Sequence, residues 1–194
     1  MKKIIFATSN VYKIKEVKAL LGDQFEIGGL KDIGCEEDIP ETQPTIEGNA
    51  LQKARYVVEH YGVNCFSEDT GLEIESLNME PGVYSARYAG PKRDSDDNMN
   101  LVLEKLKTQT NRNARFKTVI ALSIDGKEYT FEGIVNGVIA YEKTGTDGFG
   151  YDPIFLPEGR TTSFAEMSSE EKNQISHRGR AVRKLIEWLK TNFE

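Results

Sequence analysis

The run Lys3-Ile4-Ile5-Phe6-Ala7-Thr8-Ser9-Asn10 decides how this chain folds. Its apolar core is short and β-branched, which suits a buried strand and not a helix. It stops at Thr8-Ser9-Asn10, three residues whose side-chain oxygens cap helix N-termini. Beyond them Ile14, Val17, Leu20 and Leu21 recur at helical spacing, and Gly22 stands where a helix end favours positive φ. The chain therefore opens as strand, tight loop, helix.

The same pattern continues outward. A carboxylate-rich loop, Glu36-Glu37-Asp38-Ile39-Pro40-Glu41, precedes a second helix expected to begin near Thr45 and run through Ala50, Ala54 and Val58. Asn64 to Ser67 reads as a strand that leads into Glu68-Asp69-Thr70-Gly71, with Leu72-Glu73-Ile74 continuing it. Pro81-Gly82 and Ala89-Gly90-Pro91 punctuate an irregular section, and Asn98 to Lys107 is helical through Leu101, Leu103 and Leu106. Arg115 to Ile124 and Glu128 to Ile139 are β-branched and aromatic, and Asp125-Gly126 between them signals a hairpin. A glycine-rich loop follows at Gly145 to Tyr151, then a short strand at Ile154-Phe155. Ser168-x-x-Glu171 has the form of a capping box, and Arg180 to Phe193 is expected to close the chain as an amphipathic helix. Helices interleaved with strands indicate an α/β fold built on a mixed sheet with flanking helices. With 194 residues, positions 1–194 suit one domain, or one domain with two closely joined lobes.

Composition narrows the function. The chain is 38% hydrophobic and 29% charged, with mean hydropathy -0.50, as in an ordinary globular protein. A net charge of -6 argues against a nucleic-acid binder, and an anionic ligand must be met by local positive charge. Cys35 and Cys65 form no C-x-x-C pair and are expected to be buried free thiols in a reducing compartment. The opening Met1-Lys2-Lys3 is basic, but the apolar run after it is too short for a signal peptide, and no stretch has the length of a membrane span. On these features a cytoplasmic protein is expected.

Three groups of residues carry possible chemistry. The first is the loop Thr8-Ser9-Asn10-Val11-Tyr12-Lys13. A helix N-terminus offers unpaired N–H groups and partial positive charge, to which Lys13 adds a full charge, so phosphate is a natural ligand. On this loop alone, a plain helix cap followed by a solvated lysine is the better reading. No G-x-x-x-x-G-K-[ST] occurs, and Gly145-Thr146-Asp147-Gly148-Phe149-Gly150 lacks the dinucleotide-binding order. The second group is acidic. Asp69 sits at a strand end, where the sheet can hold it rigidly in a cleft, and Glu41 lies in the earlier loop; Mg²⁺ takes only one or two protein carboxylates. The third is C-terminal, where His177 and Arg178 are adjacent donors suited to a purine carbonyl or a phosphate oxygen. Phe149 and Tyr151 offer rings that can stack on a base or pack in the interior.

Five motifs occur here in one order: Thr8-Ser9-Asn10-x-x-Lys13, Glu68-Asp69-Thr70-Gly71-Leu72, Pro81-Gly82-Val83-Tyr84-Ser85-Ala86-Arg87-Tyr88, Gly148-Phe149-Gly150-Tyr151-Asp152-Pro153 and Ser176-His177-Arg178. Together they resemble the inosine triphosphatase family over nearly the whole chain. The resemblance implies hydrolysis of ITP, dITP and XTP to monophosphate and pyrophosphate, with Mg²⁺, by a homodimer. It implies an elongated mixed sheet, two lobes and a central cleft holding the active site. It assigns the Thr8 to Lys13 loop, Lys53 and Lys172 to the triphosphate, and Thr70, Phe149, Gly150, Tyr151, Asp152, His177 and Arg178 to the nucleotide. Asp69 is implied as proton acceptor and metal ligand. Where bacterial members often carry Glu-Glu-Thr, this chain has Pro40-Glu41-Thr42, so the second metal ligand is placed at Glu41.

Overall fold

The computed structural model describes residues 3–22 and 25–192. Met1, Lys2 and Phe193, which the sequence reading touched, lie outside them. Among the described residues the chain forms an α/β fold with seven strands and five α-helices. It divides into two compact units, one of residues 1–69, 118–133 and 178–194, the other of residues 70–117 and 134–177.

In the first unit, strand β1 (Lys3–Phe6) is followed by helix α1 (Val11–Leu21), as its sequence dictates. Asn10 caps the helix and Gly22 ends it at φ 56°. Strand β2 (Glu26–Gly29) lies parallel to β1, and β1 also runs parallel to the start of strand β3 (Cys65–Ile74). Helix α2 (Ile46–Tyr61) begins after Thr45, whose hydroxyl accepts from the Gly48 N–H. Helix α5 (His177–Asn192) starts three residues before the periodic stretch at Arg180, so Arg178 stands in its first turn. Ile4, Phe6, Val17, Leu21, Phe66, Ile120, Leu122, Val182 and Leu185 form this unit's core.

The second unit takes over β3 at Thr70 and adds β4 (Glu80–Pro81), antiparallel to it. Helix α3 (Ser95–Lys105) starts three residues before Asn98, because Asp94 caps it by accepting from the Asp97 N–H. Strands β5 (Asn113–Ile124) and β6 (Lys127–Ile139) are neighbours in the sheet and pass between the units. Their two-residue turn puts Asp125 at φ 49° and Gly126 at φ 75°, the pair of positive angles a tight hairpin requires. Strand β7 (Phe155–Pro157) is antiparallel to β6. Helix α4 (Ser169–Ile175) opens with the Ser168/Glu171 capping box. Leu72, Val102, Leu106, Phe116, Val135, Phe155 and Phe164 centre this second core.

Candidate active site

Strand β3 puts its two adjacent acids, Glu68 and Asp69, on opposite faces because side chains alternate along a strand. On one face Cys65, Ser67 and Asp69 meet α2. Cys65 Sγ donates to the Ala54 carbonyl at 3.3 Å and Ser67 Oγ to the Ala50 carbonyl, while Asn49 Nδ2 donates to Asp69 Oδ2 at 3.2 Å. On the other face Phe66 stacks on Phe6 at 4.5 Å, and Glu68 receives Arg178 from α5 and Lys13 from α1. Both cysteines are buried and free.

The neighbouring acids consequently titrate in opposite directions. Glu68 is fully buried, which opposes its ionisation. The Arg178 and Lys13 charges outweigh that and hold it well below the usual carboxylate range. Asp69 is also buried, and burial dominates, so its carboxyl is raised despite Lys53 and Lys13; Glu41 adds to the rise. A raised carboxylate on a rigid strand is poised to take a proton.

Lys53 ties the acids together. Its ammonium donates to Glu41 Oε1 at 2.5 Å and to the Glu68 carbonyl at 2.7 Å, and lies 3.9 Å from Asp69 Oδ1. Glu41 and Asp69 thus both face the Lys53 ammonium with hard oxygen donors. Among the described residues no cluster of three or more His, Cys, Asp or Glu side chains could hold a metal. A two-carboxylate set fits Mg²⁺, which completes its octahedron with water and substrate phosphates, and is too sparse for a closed protein cage.

At the α1 N-terminus, Asn10 Oδ1 accepts from the Tyr12 and Lys13 N–H groups at 3.0 and 3.2 Å, and the Asn10 N–H donates to Thr8 Oγ1 at 3.2 Å. Ser9, Val11 and Tyr12 are exposed around this cap. Lys13 reaches inward to Glu68 Oε1 at 3.0 Å.

The remaining candidates gather in the second unit. The Gly148-Phe149-Gly150-Tyr151 turn takes φ 75° at Gly148 and 64° at Gly150. Buried Asp152 closes it, accepting from the Phe149 N–H at 2.8 Å and from Lys172 Nζ at 2.7 Å. The Lys172 ammonium lies 4.8 Å over the Phe149 ring. Tyr151 is buried in the core and donates its hydroxyl to the Ser85 carbonyl at 2.7 Å. The buried His177 ring stacks on Phe116 at 4.5 Å and 17°. Thr70 is half-buried, at the point where β3 enters this unit.

Sequence reasoning passed over Asn49, Glu68 and Glu16 as functional residues. Asn49 was findable, because it falls with Ala50, Lys53 and Ala54 on the inward stripe of α2, where a polar residue calls for a partner. Glu16 gave no signal; it accepts from Arg178, 162 positions away in sequence.

Paired acids beside the buried Lys53, in an α/β fold, are the equipment of an enzyme acting on phosphate anhydrides. The Ham1 family model matches residues 4–188. A dITP/XTP pyrophosphatase of Flavobacterium johnsoniae is 55% identical over 96% of this chain and 97% of its own. One from Bacillus subtilis is 45% identical over 97% and 98%. The solved Staphylococcus aureus Ham1 protein superposes with a TM-score of 0.90 at 38% identity, covering 98% of this chain and 99% of its own. The chain belongs to the Ham1 family.

Proposed function

We propose that the chain hydrolyses dITP, ITP and XTP to the monophosphate and pyrophosphate, clearing non-standard purines from the nucleotide pool. The observation that carries this reading is the buried Asp69 carboxyl, held by Asn49 and set with Glu41 against the Lys53 ammonium. Relatives bearing the dITP/XTP pyrophosphatase name support the substrate class.

Glu41 and Asp69 would hold Mg²⁺, which supplies charge neutralisation on the phosphate oxygens. Asp69 orients a water toward the α-phosphorus and takes its proton, help typically worth about 10²–10⁴-fold. Lys13, Lys53 and Lys172, with the Thr8–Ser9–Asn10–Val11–Tyr12 loop, offset the triphosphate charge. Phe149 offers a ring face to the base, while Thr70, Gly150, Tyr151 and Asp152 shape the nucleotide pocket.

Base choice follows hydrogen-bond polarity. Hypoxanthine and xanthine present a 6-carbonyl acceptor, where adenine presents an amino donor. His177 and Arg178 supply donors that suit the former and oppose the latter, a mismatch worth roughly 10³-fold or more. Glu68 and Glu16 fix the guanidinium, so Arg178 donates from a preset direction.

Asp69→Asn tests the chemistry: pyrophosphate release from ITP should fall at least 100-fold, and turnover within a few-fold of wild type overturns the assignment. Comparable activity on ATP and ITP overturns the account of selectivity. A homodimer and a cytoplasmic location belong to the same reading, and light scattering on the purified protein checks the former. No described helix is long and apolar enough to cross a membrane.

A further inference from the structure

The side chain of Asn49 is 1% exposed and bonded at both ends. Its Oδ1 accepts from the Gln43 backbone N–H at 2.9 Å, and its Nδ2 donates to Asp69 Oδ2 at 3.2 Å. The partners leave the amide no alternative orientation. A backbone N–H can only donate, so it must face the oxygen; an ionised carboxylate can only accept, so it must face the nitrogen. One rigid side chain therefore joins two elements 26 residues apart, the end of the Glu41 loop and the acid of β3.

The surroundings show what the joint controls. Residues 41–43 belong to no helix or strand. They are tied to α2 by Asn49 and by the Thr42–Gln52 pair, in which the Thr42 N–H donates to Gln52 Oε1 and Gln52 Nε2 to Thr42 Oγ1, both at 2.9 Å. One turn further along α2, Lys53 meets Glu41 and Asp69. Lys53 is long and its ammonium can rotate among acceptors, so it neutralises the acids without fixing their geometry. Asn49 is short, buried and doubly bonded, so it fixes geometry without adding charge.

We propose that Asn49 is a positioning residue for this reaction. It holds Asp69 and the Glu41 loop in one register and aims the Asp69 carboxylate by occupying Oδ2. The inference rests on the reading of Asp69 as proton acceptor. It adds that the base works only when its second oxygen is held from α2. A group misplaced by about 1 Å can cost on the order of 10²-fold in rate, so the expected effect falls on kcat.

Asn49→Ala should lower kcat for ITP by roughly 10–100-fold and leave the nucleotide KM within about threefold. In the nucleotide- and metal-free protein, NMR should show the Gln43 amide exchanging at least tenfold faster, because its buried acceptor is gone. In an Asp69→Asn background the same substitution should change the residual rate less than twofold, since there is no base left to aim. Should Asn49→Ala fold poorly, Asn49→Asp retains the acceptor for Gln43 and offers no donor to Asp69 when ionised; it should keep slow Gln43 exchange while losing kcat. The proposal is overturned if the folded variants keep kcat within threefold of wild type, or if Asn49→Ala causes equal fractional losses in both backgrounds. Those results leave the base assignment standing as long as Asp69→Asn alone is inactive. An active Asp69→Asn removes the assignment itself.

Discussion

Arg178 and Glu68 meet through two parallel hydrogen bonds, Nε to Oε2 at 2.8 Å and Nη2 to Oε1 at 2.9 Å, with both side chains buried. Glu16 takes Nη1, so two carboxylates grip one guanidinium. The fork geometry matches the carboxylate as a lysine could not. Arg178 is thus part of the first unit's interior.

Breaking this pair from one side should be costly. Glu68→Gln leaves a buried guanidinium with one carboxylate, and loss of one partner in a buried pair costs about 3–5 kcal/mol. A loss of unfolding free energy below about 1 kcal/mol in denaturant titration would show that the pair is dispensable for stability. Asp69 lies on the opposite face of β3, so activity in the folded fraction should fall less than it does in Asp69→Asn.

Two glycines of the aromatic turn should respond differently to one added methyl group. At Gly148 a Cβ would lie 2.2 Å from Asp152 Oδ2, the oxygen that receives the Phe149 N–H and Lys172. At Gly150 nothing lies within 4 Å, so only the positive φ of 64° is strained. Gly150→Ala should cost about 1–2 kcal/mol and change the KM for ITP less than Gly148→Ala does. Gly148→Ala should cost more, and raise the KM for ITP as Asp152 and Lys172 are displaced. Thermal unfolding and steady-state kinetics on both variants check the contrast; equal effects would mean that backbone strain alone matters.

Local patterns made most of this fold readable. The opening strand and helix, the Thr45 cap, the Asp125-Gly126 turn and the Ser168/Glu171 box each depend on residues a few positions apart, and each appears in the structure. Strand β2 was not legible. Glu26-Ile27-Gly28-Gly29 has little β-propensity and is ordered by its parallel pairing with β1. Helices α3 and α5 both start earlier than their apolar periodicity, because first turns are set by caps and by buried polar residues. Within the site, Asp69 and Glu41 stood out as acids in telling places. The partners of Arg178 depend on long-range packing that no local spacing encodes.

Phe116 links core packing to His177, which we propose reads the base, since its ring stacks on His177 and also contacts Phe155 at 4.7 Å. Phe116→Leu removes the flat support while keeping an apolar side chain. Stability should drop by about 0.5–3 kcal/mol. Selectivity for ITP over ATP should fall roughly tenfold, the value of one aimed hydrogen bond. Unchanged selectivity in a measurably destabilised variant would separate His177 from base reading.

Acid should weaken the anchoring of the Glu41 loop through Glu37. Its carboxylate accepts from the Tyr61 hydroxyl at 2.6 Å and the Tyr56 hydroxyl at 3.1 Å, both on α2. The Tyr61 bond is the chief reason that its pKa drops from 4.5 to about 2. A folded-state value below the unfolded one means that this anchor stabilises fully above 4.5 and fades as the pH falls toward 2. Tyr61→Phe removes the chief donor, so its melting temperature should lie below wild type at neutral pH. The gap should close as the pH drops through that window, because protonated Glu37 no longer favours the native chain. A gap that stays constant with pH would show that Tyr61 contributes by packing and not by holding the charge.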